Sequence, residues 1–211
     1  METCNPTIVH DKAKMKKMVT ELGSNLRNAS LRLKDDKEIV MIAVAQWGFS
    51  LGYASDNLKR DRTIVMTAVS NYGGSLEFAA LHLINDPEVV TIAVKQDALA
   101  LEFASNELKN NQEIVEMAVN KNGDALKFAS DEMKNTRAVV MVALASQGSI
   151  YSALQYASDD LKNDKKIVLF ALTNNTTSRS VRVTSLLYVS DEMKNDVEIQ
   201  AVLKEYNFSI I

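Results

Sequence analysis

Residues 55–74, SDNLKRDRTIVMTAVSNYGG, return at 105–124 as SNELKNNQEIVEMAVNKNGD, and this internal repetition restricts the fold more than any other property of the chain. The dipeptides that follow each Ala-Ser pair or its variant mark the copies: Leu33-Lys34, Leu58-Lys59, Leu83-Ile84, Leu108-Lys109, Met133-Lys134, Leu161-Lys162 and Met193-Lys194. Their successive spacings are 25, 25, 25, 25, 28 and 32 residues, and a copy degenerate at its start begins near Ile8, 25 residues before Leu33. The repeats run the length of the 211 residues, so the expectation is one helical repeat domain, 1–211, of about seven to eight copies with degenerate ends.

Each position in the unit has a physical job. Three residues after the anchor's first member stand Asp11, Asp36, Asp61, Asp86, Asn111, Thr136, Asp164 and Asp196, all side chains able to accept from the free amides of a helix start. Asp86 is followed by Pro87 and Glu88, a proline in the first helical position and an acid in the first turn. A helix A beginning there carries Ile39, Val40, Ala43 and Val44, matched by Ile64, Val65, Ala68 and Val69 and by Val89, Val90, Ala93 and Val94. Such spacing makes one apolar stripe at helical period. Gly48, Gly73, Gly123 and Gly148 come four residues later, where a glycine closes a helix with positive φ. Ala98 interrupts this series and predicts a longer or differently capped helix in its copy.

A second apolar segment follows, Leu51, Tyr53, Ala54 and Leu58 in one copy and Leu126, Phe128, Ala129 and Met133 in another. Its spacing suits a helix B of about ten residues. One aromatic recurs in it, as Tyr53, Phe78, Phe103, Phe128, Tyr156 and Tyr188, a packing stripe between copies. Two helices this short cannot bury their own apolar faces, so each unit must lean on its neighbours. The expected fold class is all-α, an α-solenoid of tandem helix-turn-helix repeats of about 25 residues. Only two prolines and seven glycines punctuate the chain, fewer than the turns of an all-β protein need.

The recurring pattern LKND-EIV--AV---G--L-YAS--LK resembles the repeats of domain of unknown function 4116, over residues 11 to about 172. That resemblance implies the same helical repeat architecture. It brings no catalytic residues with it.

The residues offer little chemistry. A net charge of −3 leaves no basic footprint for nucleic acid, and no apolar run reaches the roughly 18 residues of a membrane span. With the single Cys4 and no signal-like N-terminal run, a cytoplasmic location is expected, with a bacterial effector acting inside a host cell as the alternative. His10 and His82 fall in different copies, His82 at a place filled elsewhere by polar surface residues. The Asp159-Asp160 pair has structural work at the end of helix B, and no phosphate loop, zinc motif or nucleophile elbow appears. The recurring serine of the Ala-Ser pair reads as a local hydrogen-bonding residue. No catalytic, metal-binding or cofactor-binding residue is assigned, and no cofactor is expected.

Binding specificity in a repeat protein lies where copies differ. Near the end of helix A one column reads Trp47, Tyr72, Asp97, Asn122, Gln147, and beside it run Gln46, Asn71, Gln96, Lys121 and Ser146. Equivalent side chains on stacked helices stand roughly 10 Å apart, so these columns form ladders on one surface. Trp47 and Tyr72 are of the kinds favoured at binding hot spots. A second departure is the insertion TNNTTSRSVRVTS, 173–185, whose only charges are Arg179 and Arg182. The expectation is a non-enzymatic protein that holds a protein or peptide partner with Trp47, Tyr72, Gln46, Asn71, Gln96, Asp97, Arg179 and Arg182. The alternatives are a structural or regulatory segment of a larger protein and, last, an enzyme. The oligomeric state is open.

Overall fold

A computed structural model describes residues 8–146, 153–174 and 178–207. It is an all-α repeat fold; the described residues hold no strand beyond an isolated bridge between Val9 and Ala29. The chain groups into two compact units, Met1–Ser105 and Asn106–Ile211. In the first, the long helices Lys12–Glu21, Lys37–Gln46, Arg62–Asn71 and Pro87–Gln96 pack each against the next. In the second, Gln112–Lys121 packs on Arg137–Ala145, that helix on Lys165–Thr173, and the last on both Arg179–Ser185 and Val197–Glu205.

Each long helix starts where the caps predict. The Asp36 carboxylate accepts from the amides of Glu38 at 3.1 Å and Ile39 at 3.2 Å, and Asp61, Asp86, Asp164 and Asp196 repeat the arrangement. Thr136 departs from the series: its hydroxyl donates back to the Glu132 carbonyl at 2.9 Å and leaves the helix start without a side-chain cap. Behind the caps, Ile39, Val40, Ala43 and Val44 and their equivalents in Arg62–Asn71 and Pro87–Gln96 are fully buried. Each Ile or Val so placed contributes about 1.5–3 kcal/mol of hydrophobic stabilisation, so this stripe is the main source of cohesion.

Helix B is not one helix. Five copies instead run a six-residue 3₁₀ helix, Gly23–Asn28, Gly48–Tyr53, Gly73–Phe78, Ala98–Phe103 or Gly123–Phe128, and then break at the extended Ala-Ser pair or, after Phe78, Ala79-Ala80. A single turn follows, such as Leu31–Lys34 or Asp131–Lys134. The reason is periodicity. The inward residues Gly48, Leu51 and Ala54 recur every three positions, the period of a 3₁₀ helix, and Ala54 N–H donates to the Leu51 carbonyl at 3.1 Å.

The serine explains the break and ties copies together. Ser130 Oγ accepts from the Met133 amide at 3.2 Å, capping the short turn, and donates to Asn110 of the copy before it at 2.5 Å. Ser158 does the same with Leu161 and Asn135, and Ser55 with Leu58 and Asp35. The backbone adds a parallel bond at six seams: Ser30 N–H to Val9 O, Ser55 to Lys34, Ala80 to Lys59 and Ser105 to Ile84 in the first unit, Ser130 to Lys109 and Ser158 to Lys134 in the second. The degenerate first copy therefore supplies a true seam through Val9.

The glycines work differently from the expectation. No described glycine has positive φ. Instead, a Cβ on Gly23, Gly48 or Gly73 would stand 2.4 Å from the carbonyl oxygen of Ala43, Ala68 or Ala93, on the long helix of the next copy. The backbone needs room for close approach, not a left-handed turn. The Ala98 copy, which carries a Cβ at this place, nonetheless has a helix of the usual ten residues, Pro87–Gln96, ended by Asp97 in the usual extended conformation, φ −140° and ψ 116°. The longer or different cap expected there is absent.

Candidate functional site

The column of differing residues sits at the helix ends because each of its members is the residue on which the long helix stops. Leu22, Trp47, Tyr72 and Asp97 are all extended, with φ between −151° and −140°, and each gives its N–H to the carbonyl four residues back. An extended residue after a helix turns its side chain away from the helical face. Leu22 is 56% exposed, Trp47 38% and Tyr72 39%, although all are large apolar groups.

The tryptophan and the tyrosine belong to one aromatic group. Phe49 lies between them, its ring centre 5.7 Å from Trp47 and 4.5 Å from Tyr72, and Phe78 meets it edge-on at 5.5 Å. Phe49 is half-buried while the two rings it touches are exposed, so the three make one partly exposed aromatic cluster. Gly74 makes room for the Tyr72 ring: a Cβ there would stand 2.6 Å from Tyr72 Cε1, so the ring lies across the start of the 3₁₀ helix only because nothing projects beneath it. The sequence marked the two outer rings; Phe49 was missed because its exposure depends on the 3₁₀ turn.

The neighbouring column does other work. Asn71 accepts from the Gly48 amide at 2.8 Å and donates to the Ala45 carbonyl at 3.1 Å, both in the copy before it. Gln96 accepts from the Gly73 amide at 2.6 Å and donates to the Asn71 carbonyl at 3.4 Å. In the second unit the Ser146 hydroxyl accepts from the Gly123 amide at 3.1 Å. These side chains satisfy the backbone groups that a helix end leaves open, and in doing so clamp one copy to the next. The Gln46 side chain is exposed and makes no hydrogen bond among the described residues. Asn122 caps its own 3₁₀ helix by accepting from the Asp124 amide at 3.0 Å, and Gln147 lies outside the described residues.

Arg179 and Arg182 belong to the second unit and are engaged with the last long helix. The insertion forms a short helix, Arg179–Ser185, after residues 175–177, which lie outside the described set. Arg179 donates to the Asn207 carbonyl at 2.9 Å, and the Arg182 guanidinium stands 5.4 Å from the centre of the Tyr206 ring. Both arginines therefore brace the end of Val197–Glu205.

A further ladder was not read from the sequence. The residue after each cap reaches the cap of the next copy: Lys12 to Asp36 at 2.7 Å, Lys37 to Asp61 at 2.6 Å, Arg62 to Asp86 at 2.8 Å, Arg137 to Asp164, and Lys165 to Asp196 at 3.0 Å. The Arg62 guanidinium holds the Asp86 carboxyl below its usual pKa against the raising effect of partial burial, with the Val89 and Glu88 amides helping. Lys165 does the same for Asp196. For Asp36 and Asp61 burial acts upward, and the lysine partners with the helix amides outweigh it. The signal was present as covariation: Pro87 and Gln112, which carry no charge, are followed one copy later by the uncharged caps Asn111 and Thr136.

His10 and His82 are both exposed. Among the described residues no group of three His, Cys, Asp or Glu side chains is placed to hold a metal ion, and no helix is long and apolar enough to cross a membrane. A family model, domain of unknown function (DUF4116), matches residues 11–59, 36–84, 61–109, 86–134, 111–152 and 150–180, each of the first five windows starting on a helix cap or 25 residues after the last. No curated protein and no solved structure matches the chain.

Proposed function

The chain belongs to the DUF4116 family of repeats, and we propose that it works without catalysis, holding a protein or peptide partner on the surface where its copies differ. The observation that carries this reading is the aromatic cluster of Trp47, Phe49 and Tyr72, which exposes two large aromatics at positions where the next copy has Asp97. Large aromatic side chains left partly in water next to one another are of the kind that hot spots use. Gln46, exposed and next to Trp47 in the chain, is read as an adaptable polar contact. Asn71 and Gln96 support the cluster from behind, through the clamps that fix the spacing of the copies. The net charge of −3 favours a protein partner over nucleic acid, and no membrane contact is part of the reading.

The test is a pull-down from a lysate of the source cell with the wild-type chain and a Trp47→Ala, Tyr72→Ala double variant. The double variant should keep its helical circular dichroism and lose the partner. Undiminished recovery by a folded double variant would sink the surface, and no specific partner at all would favour a structural spacer.

A further inference from the structure

Independently of the partner-binding reading, we propose that Asn122 is a deamidation site gated by the bond between the Gly123 amide and Ser146, so that it reacts only when this seam opens. Asn122-Gly123 is the only Asn-Gly pair in the sequence; Gly23, Gly48 and Gly73 follow Leu22, Trp47 and Tyr72. A glycine nitrogen attacks a preceding asparagine side chain readily, because no Cβ crowds its approach. Gly123 N gives its proton to hydroxide and bonds to Asn122 Cγ. The side-chain nitrogen takes a proton from water, regenerating hydroxide, and leaves as ammonia, so that a cyclic imide forms. Water then opens the ring at Cγ, giving aspartate, or at the main-chain carbonyl carbon, giving isoaspartate.

The fold keeps the reacting atoms apart. Asn122 is extended, φ −148° and ψ 110°, which puts the Gly123 nitrogen on the side of the Cα–C bond away from Cβ, and so away from the carbon it must attack. The Gly123 N–H is engaged as well, donating at 3.1 Å to the hydroxyl of Ser146, which is 4% exposed. The Asn122 side-chain oxygen is held by the Asp124 amide at 3.0 Å. Attack requires the peptide between 122 and 123 to rotate, and that rotation breaks the Ser146 bond. Opening one seam costs less than unfolding the unit, so it sets the rate. The two products differ in effect. Aspartate is accommodated: Asp97, at the same place one copy earlier, has a similar extended backbone and caps by accepting from the Leu99 amide at 2.9 Å. Isoaspartate adds a methylene to the main chain beside the buried Gly123 and unseats it. Each reaction therefore adds a charge to the column of differing residues, and the isoaspartate branch also loosens the seam for good.

The experiment ages the whole chain at mildly alkaline pH in heavy-oxygen water and follows the peptide containing Asn122 by mass spectrometry, for the incorporated label and for isoaspartate. Wild type, Ser146→Ala and Ser146→Asn are compared with the wild type in denaturant. Slow reaction is expected in the folded wild type, reaction about tenfold faster in Ser146→Ala, which leaves a buried donor unpaired, and the fastest reaction in denaturant. Ser146→Asn should react as slowly as the wild type, because Asn71 serves the Gly48 amide in the same way. A folded Ser146→Ala that reacts at the wild-type rate would overturn the inference, as would a folded wild type that reacts as fast as the denatured chain. Acceleration found only with a matching loss of helical circular dichroism would overturn it too, since the reaction would then follow global unfolding and not the seam.

Discussion

At Gly48 the backbone φ is negative, so alanine could adopt the conformation, and by the usual rule a Gly→Ala change at such a place stabilises by about 0.4–1 kcal/mol through the unfolded chain. The structure reverses that sign. The new methyl would stand 2.4 Å from the Ala68 carbonyl oxygen and 2.7 Å from Ser75 Oγ, and the carbonyl belongs to a helix that cannot retreat alone. We expect Gly48→Ala to destabilise by about 1–3 kcal/mol in denaturant unfolding, the range for overpacking. Gly52→Ala should cost less, because its nearest neighbours are side-chain atoms of Phe78 at 3.2 Å. Equal stability of Gly48→Ala and the wild type would show that the copies can slide apart. The sequence displayed these glycines at fixed spacing, but it could not tell closeness to another copy from a positive φ, since both demand the same residue. The aspartate caps were legible because their chemistry is local: the acceptor and the amides it serves lie within three residues. Thr136 failed because its hydroxyl can donate backward as easily as accept forward.

Elements in this fold end on side chains lent by the following copy. Gly48 is buried at the end of Lys37–Gln46, and its amide finds its acceptor in Asn71, 23 residues on. Asn71→Ala would leave that amide without a partner, a cost of about 1–3 kcal/mol for a buried donor. Asn71→Gln should recover much of it, because Gln96 does the same job for Gly73 with the longer side chain. Thermal or denaturant unfolding of the two variants checks this; an alanine variant as stable as the glutamine one would mean that water serves the amide. The same long reach explains why the columns at 46–47, 71–72 and 96–97 looked alike in the sequence. Both vary between copies, yet one faces outward and the other backward. Helix B was misread for a different reason. Over six residues a period of 3 and one of 3.6 place the same apolar residues inward, and only the strict Gly48, Leu51, Ala54 spacing distinguishes them.

The architecture of the whole chain was the most legible part, since a 25-residue repetition of cap, stripe and seam admits few folds other than stacked helical copies. What it hid was how the charges join those copies, because a cap and the cation that serves it are about 24 residues apart and neither is unusual alone. That ladder makes a prediction about acid. Asp36, Asp61, Asp86, Asp164 and Asp196 all have folded pKa values below the ordinary 3.8. A carboxyl depressed by folding stabilises the fold only when ionised: its contribution is complete above 3.8 and is lost as pH falls through the folded value. Stability should therefore be flat near neutrality and fall from about pH 4 downward, as five helix starts lose their anionic cap and their inter-copy partner together. The pairs are partly exposed, with Arg62 44% accessible, so added salt should flatten the curve, and each rung alone should matter little. Arg62→Gln removes the guanidinium that most lowers Asp86, so its unfolding midpoint should depend less steeply on pH between 5 and 3 than that of the wild type. A variant whose pH curve runs parallel to the wild type would place the acid sensitivity in the helix caps and not in the bonds between copies.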